Sequence, residues 1–142
     1  MNSCVVYQHV KPNAGLPDWR AERPFRCVTI VHEDVRPDWR EAVGRWLVDS
    51  GCLYAMAWGA GCSHWENAVD EANLRNFDYG EIPQDRFVMT TCHEDEPLSK
   101  AFWFAREVAW HPAVELHGIL LLHIAPGASE VEMLASFANA KD

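Results

Sequence analysis

Two acidic triplets, His32-Glu33-Asp34 and His93-Glu94-Asp95, stand 61 positions apart, each after a short apolar run and just before a proline. Grouped carboxylates repel one another, so such clusters call for compensation by a cation, a basic partner or a helix N-terminus. Mg²⁺ takes one or two carboxylates and keeps several waters, which these acids could supply. Asp34, Glu94 and Asp95, with His32 and His93, are therefore the candidate metal and acid–base groups of a Mg²⁺- or Mn²⁺-dependent hydrolase or phosphoryl-transfer enzyme. Arg36 and Lys100 are the nearby cations that could neutralise substrate charge. The second role is a docking surface for a basic protein, with Glu33, Asp34, Glu94, Asp95, Glu96 and Trp103 as its contacts. The third is capping alone, since acids before a helix satisfy its free N–H groups.

Other chemistry is less well marked. His32, Cys62, His64, Cys92 and His93 are zinc-type ligands, but none is paired at the close spacing of structural zinc sites. Cys62 or Cys92 could act as a nucleophile beside a histidine, and Cys62 precedes a helix. Gly59-Ala-Gly61 lacks the third glycine and the lysine of phosphate-binding loops, and reads as a tight turn.

Four strand–helix pairs position these residues. Strands are expected at Arg26–His32, Leu53–Trp58, Arg86–Cys92 and His117–Ile124, where β-branched and apolar residues cluster. Trp39, Ala42, Val43, Trp46 and Leu47 recur at helical spacing after Pro37, and Gly51 closes that helix. Ser63 with Glu66, and Ser129 with Glu132, read as capping boxes that start two more helices. A third helix should run from Pro97 to about Trp110. Trp103, Phe104 and Trp110 lie off its inner face, to be covered by the N-terminal segment or by a partner, a second copy included. Residues 1–25 carry Pro12, Pro17 and Pro24 and read as an extended arm that Trp19 and Phe25 pin down; residues 26–142 form the α/β domain.

Alternation of strand and helix predicts a Rossmann- or flavodoxin-like three-layer α/β sandwich, a four-stranded parallel sheet of order 2-1-3-4 with helices on both faces. In that order the first and third strands are neighbours, and both acidic tips meet at the switch point where such sheets bind ligands.

Bulk composition narrows the classes. The 142 residues fit one domain, and the net charge of −9 disfavours nucleic acid and anionic membranes. The longest apolar run, Gly118–His123, is far short of a bilayer span, and Met1–Tyr7 carries no secretory signal. Five cysteines without a C-x-x-C pair suit a reducing, cytoplasmic setting.

Ser50-Gly-Cys-Leu-Tyr-Ala-Met-Ala-Trp-Gly59, the segment from Ser63 to Leu74, Val88-Met-Thr-Thr91, His93-Glu-Asp-Glu-Pro-Leu98 and Phe102-Trp-Phe104 resemble a family of small bacterial α/β proteins of uncharacterised function. The resemblance runs from Pro24 to about Ile124, leaves out the first 20 residues and brings no activity with it. The absence of a complete catalytic motif, the acidic charge and seven tryptophans favour a non-enzymatic binding module, such as an immunity protein held against a basic toxin.

Overall fold

A computed structural model describes residues 4–18 and 22–141. Trp19, expected to pin the N-terminal segment, lies outside the described residues. The elements in chain order are β1 (Cys4–Val10), β2 (Phe25–Val31), α1 (Pro37–Asp49), β3 (Cys52–Gly59) and α2 (Cys62–Arg75). A short 3-10 turn (Gln84–Arg86), β4 (Met89–His93), α3 (Leu98–Glu107), β5 (Gly118–Ile124) and α4 (Glu130–Asn139) follow.

The sheet is parallel throughout, with order β1-β5-β2-β3-β4. The expected four strands of order 2-1-3-4 are corrected on two counts. Cys4–Val10, assigned from composition to the arm, is a fifth strand pairing along its whole length with β5. The expected first and third strands, here β2 and β4, are not neighbours, because β3 lies between them.

The chain reaches this order by two kinds of step. β2, β3 and β4 succeed one another outward, with α1 and α2 packed together on one face. α3 then carries the chain back across the opposite face to β5, which inserts between β1 and β2. Reversing both direction and face preserves the right-handed crossover that parallel strands require.

Burial follows this order. β2 and β5 are buried at every residue, as strands covered on both faces must be, and they are mostly apolar, with Arg26, Thr29 and His123 as buried polar exceptions. β1 and β4 are edge strands and mostly half-buried. Trp39, Val43, Leu47, Trp65 and Val69 fill the core under α1 and α2. Val28, Ile30, Met56, Phe102, Leu121 and Phe137 fill the core under α3 and α4.

Three local expectations change. Among the described residues, the proline-containing part of the N-terminal segment packs on the α1–α2 side and not on α3. Leu16 packs into the α1–α2 core, and the Trp39 indole N–H donates to the Ala14 carbonyl at 2.6 Å. Trp103 and Phe104 are instead half-buried in the α3–α4 core, while Trp110, beyond the end of α3, is 70% exposed and stacks on the Arg26 guanidinium. Neither capping box forms: α2 begins at Cys62 behind Gly61, whose φ of +67° turns the chain, and Ser129 makes no side-chain cap.

Candidate functional site at the carboxyl edge

One row of paired residues crosses all five strands near their carboxyl ends: His9, His123, Ile30, Trp58 and His93. Residues paired in a parallel sheet point to the same face, here that of α3 and α4. Tyr7 joins the row from two residues earlier in β1, and His32 from two residues beyond Ile30.

The loops after β2 and β5 leave in opposite directions, one to α1 and the other to α4 on the far face. The switch point therefore lies between β2 and β5, not between β2 and β4 as expected. It is occupied by histidines. The His32 and His123 rings meet edge to face at 5.0 Å, and His9 lies 6.0 Å from His123.

Hydrogen bonds link these groups. The Ser129 backbone N–H donates to the Tyr7 hydroxyl at 2.8 Å, and the same hydroxyl is hydrogen-bonded to His123 Nδ1 at 2.6 Å. His123 Nε2 is buried and has no partner among the described residues. Burial, reinforced by His32 and His9, pushes the His123 pKa down to about 4 and keeps the ring neutral. His9 donates from Nε2 to the Ala125 carbonyl at 2.6 Å, tying β1 to the loop after β5.

The acidic tips sit farther along the same edge. Only the first, Glu33 and Asp34, follows a strand of the switch point. The second, Glu94 and Asp95, follows edge strand β4, across the width of β3, roughly 10 Å away at ordinary strand spacing. All four side chains are exposed, and Glu96 is half-buried. Asp95 holds a left-handed backbone with φ of 60°.

These four acids do not cap helices. α1 and α3 begin behind Arg36 and Pro97 with no side-chain cap, and the carboxylate at the start of α1 that accepts an N–H is Asp38, from Trp39. Among the described residues no Lys, Arg or His lies within ion-pair distance of Glu33, Asp34, Glu94 or Asp95. Arg36, one expected neutralising cation, pairs with Asp38. Lys100 is exposed on α3.

Trp58, at the end of β3, spans the gap between the tips. Its indole N–H donates to the Glu96 carbonyl at 2.7 Å, and its ring packs edge to face on His32 at 5.8 Å. His93 is buried, with Thr91 at 2.8 Å on Nε2, Glu96 at 3.4 Å on Nδ1 and Phe104 against its ring. Both His93 nitrogens are thereby engaged. Trp103 is half-buried on α3 and packs against the α3–α4 core.

The expected metal residues are thus divided. His32 and Asp34 follow β2, while His93, Glu94 and Asp95 belong to β4 and its loop. Among the described residues no three His, Cys, Asp or Glu side chains are placed as a ligand set. The zinc-type residues split across the sheet: Cys62 and Cys92 meet on the α1–α2 face, His93 faces α3, and His32 faces the switch point.

Gly59 sets the path of the β3–α2 loop. A Cβ there would lie 2.0 Å from the Val31 carbonyl oxygen, and its φ is +100°. The turn reading of Gly59-Ala-Gly61 therefore holds. Its tightness has a packing cause, the close approach of β2.

Tyr7, His9 and His123 were not singled out from the sequence. A signal was present. Four of the five strands carry a histidine at, just before or just after their last residue: His9, His32, His93 and His123. A cavity of about 560 Å³ opens at the other, amino end of the sheet between Arg26, Arg106, Trp110 and His117. Both of its arginines donate to main-chain carbonyls, Arg26 to Ala105 and Arg106 to Phe137 and Ala140.

Residues 5–140 match the model of a family described as a domain of unknown function, DUF7684. The chain belongs to that family. No curated protein and no solved structure matches it. The match takes in β1 from its second residue and all of α4, so the carboxyl ends of all five strands lie within the family's domain. No helix among the described residues is long and apolar enough to cross a membrane.

Proposed function

We propose that this chain is a non-enzymatic binding module whose acidic carboxyl edge takes a basic segment of a protein partner, as an immunity protein takes a basic toxin. The observation that carries the reading is the state of four carboxylates. Glu33, Asp34, Glu94 and Asp95 are exposed, without an ion-pair partner among the described residues, and unused as helix caps. Their mutual repulsion is relieved when a cationic segment crosses both tips. Trp58 and His32 offer aromatic surface between them, where an arginine side chain can stack. The net charge of −9 adds long-range attraction for such a partner.

An arginine-rich peptide titrated by fluorescence anisotropy tests this. Binding should weaken with salt and be lost in Glu33→Lys/Asp34→Lys and in Glu94→Lys/Asp95→Lys. Reversing Glu41 and Glu71, which sit on α1 and α2, should leave most of it. Equal losses in both sets would reduce the effect to net charge and remove the edge as the site.

A second reading rests on position. The switch point of a parallel sheet is where α/β enzymes place their chemistry, and His32 and His123 occupy it. A Mg²⁺- or Mn²⁺-dependent hydrolase or phosphoryl-transfer enzyme would use Asp34 with His32 there. A thermal melt in EDTA, then with each ion added, decides: a saturable rise abolished by Asp34→Asn favours it. No shift with either ion favours the binding module.

A further inference from the structure

Cys62 and Cys92 are 30 residues apart in sequence, and their Sγ atoms lie 2.6 Å apart. This is closer than two unbonded sulfurs pack, yet both thiols are free. Cys62 is the first residue of α2 and is buried; Cys92 is half-buried in edge strand β4. The approach does not depend on the sulfurs themselves. α2 is already fixed to β4 by Thr90 donating to Asp70 at 2.8 Å, and to the segment entering β4 by the Val88 N–H donating to the Asn73 side chain at 2.9 Å. A bond between the sulfurs therefore needs little movement of either backbone.

We propose that Cys62 and Cys92 form a reversible intramolecular disulfide, a redox modification site that small peroxides oxidise. One sulfur, as thiolate, attacks a peroxide oxygen; the O–O bond breaks, water leaves after protonation, and a sulfenic acid remains. The second sulfur attacks that sulfenic sulfur, expelling its hydroxyl as a second water. Peroxide gains two electrons and the two cysteines lose two. Half-burial of Cys92 admits a molecule as small as hydrogen peroxide. Burial and the neighbouring Cys62 push the Cys92 thiol up to about 12, so Cys92 stays protonated and reacts slowly near neutral pH.

The bond would join the start of α2 to the residue preceding His93-Glu94-Asp95, fixing the second acidic tip against the β3–α2 loop. The modification does not rest on the binding-module reading, and its test uses no partner.

The full chain is treated with hydrogen peroxide, quenched by alkylation and digested without reductant. The expected product is a monomer in which the Cys62 and Cys92 peptides are cross-linked, reversed by dithiothreitol, with a higher thermal midpoint than the reduced protein. Cys92→Ala and Cys62→Ala should each abolish the cross-link; if one fails to fold, the other serves. Sulfinic or sulfonic acid at either cysteine without a cross-link would overturn the proposal. So would a bond that maps to Cys27 and Cys52, or to Cys4 between two chains.

Discussion

The Tyr7 hydroxyl reaches His123 Nδ1 at 2.6 Å across 116 residues of sequence, joining the first strand of the chain to the last. The hydroxyl also accepts the Ser129 N–H, so one phenol ties β1, β5 and the start of α4 together. Tyr7→Phe removes both bonds and leaves a buried imidazole nitrogen without its partner. The expected loss is about 1–3 kcal/mol of unfolding free energy, read by urea denaturation. A change well below ~0.5 kcal/mol would show that water replaces the hydroxyl at no cost.

The same histidine makes stability depend on pH. Its folded pKa, near 4, lies below the ordinary histidine value of 6.5, so between these values the unfolded chain binds a proton that the folded chain refuses. The contribution is complete above about pH 6.5 and is lost as pH falls toward 4. Urea midpoints should decline across that window, and His123→Gln should flatten the decline. An unchanged slope in the variant would assign the acid sensitivity to other groups.

Gly59→Ala places a methyl group against the Val31 carbonyl in a backbone of positive φ. The loop cannot yield without separating β3 from β2 at the carboxyl edge. A loss of about 3 kcal/mol or more is expected, seen as a large drop in thermal midpoint or as insoluble protein. A variant that melts with the parent would mean that the turn has a second path.

Asn73 makes two bonds to the segment entering β4, donating to the Arg86 carbonyl and accepting from the Val88 N–H. Val88 is buried, so Asn73→Ala leaves its N–H without an acceptor. The cost should be about 1–3 kcal/mol. Amide exchange should quicken from Val88 through Thr90 more than in β2 or β5. Uniform quickening across the sheet would instead indicate global destabilisation.

Removing charge from the tips should do little to the fold. Glu33→Gln and Glu94→Gln together take away no ion pair and no helix cap, so stability should stay within about 0.5 kcal/mol of the parent. A loss above ~1 kcal/mol would show that these carboxylates hold structure and are not reserved for a partner.

The sequence alone carried the α/β class, both acidic tips, the inner face of α1 and the turn at Gly59, because each rests on local spacing. Strand β1 was not legible. Its half-buried edge residues Tyr7, Gln8 and His9 dilute the apolar signal, and the prolines that follow give the whole segment the composition of an arm. Strand order is a nonlocal property. Nothing within Gly118–Ile124 states that it pairs with β2 on one side and β1 on the other. The tertiary structure decided that, and with it the switch point. It separated the two tips by β3, gathered His9, His32, His123 and Tyr7 from three strands, and brought Cys62 against Cys92. Periodicity fixes which face a residue occupies; only the packing of one strand beside another decides which residues share that face at a common level.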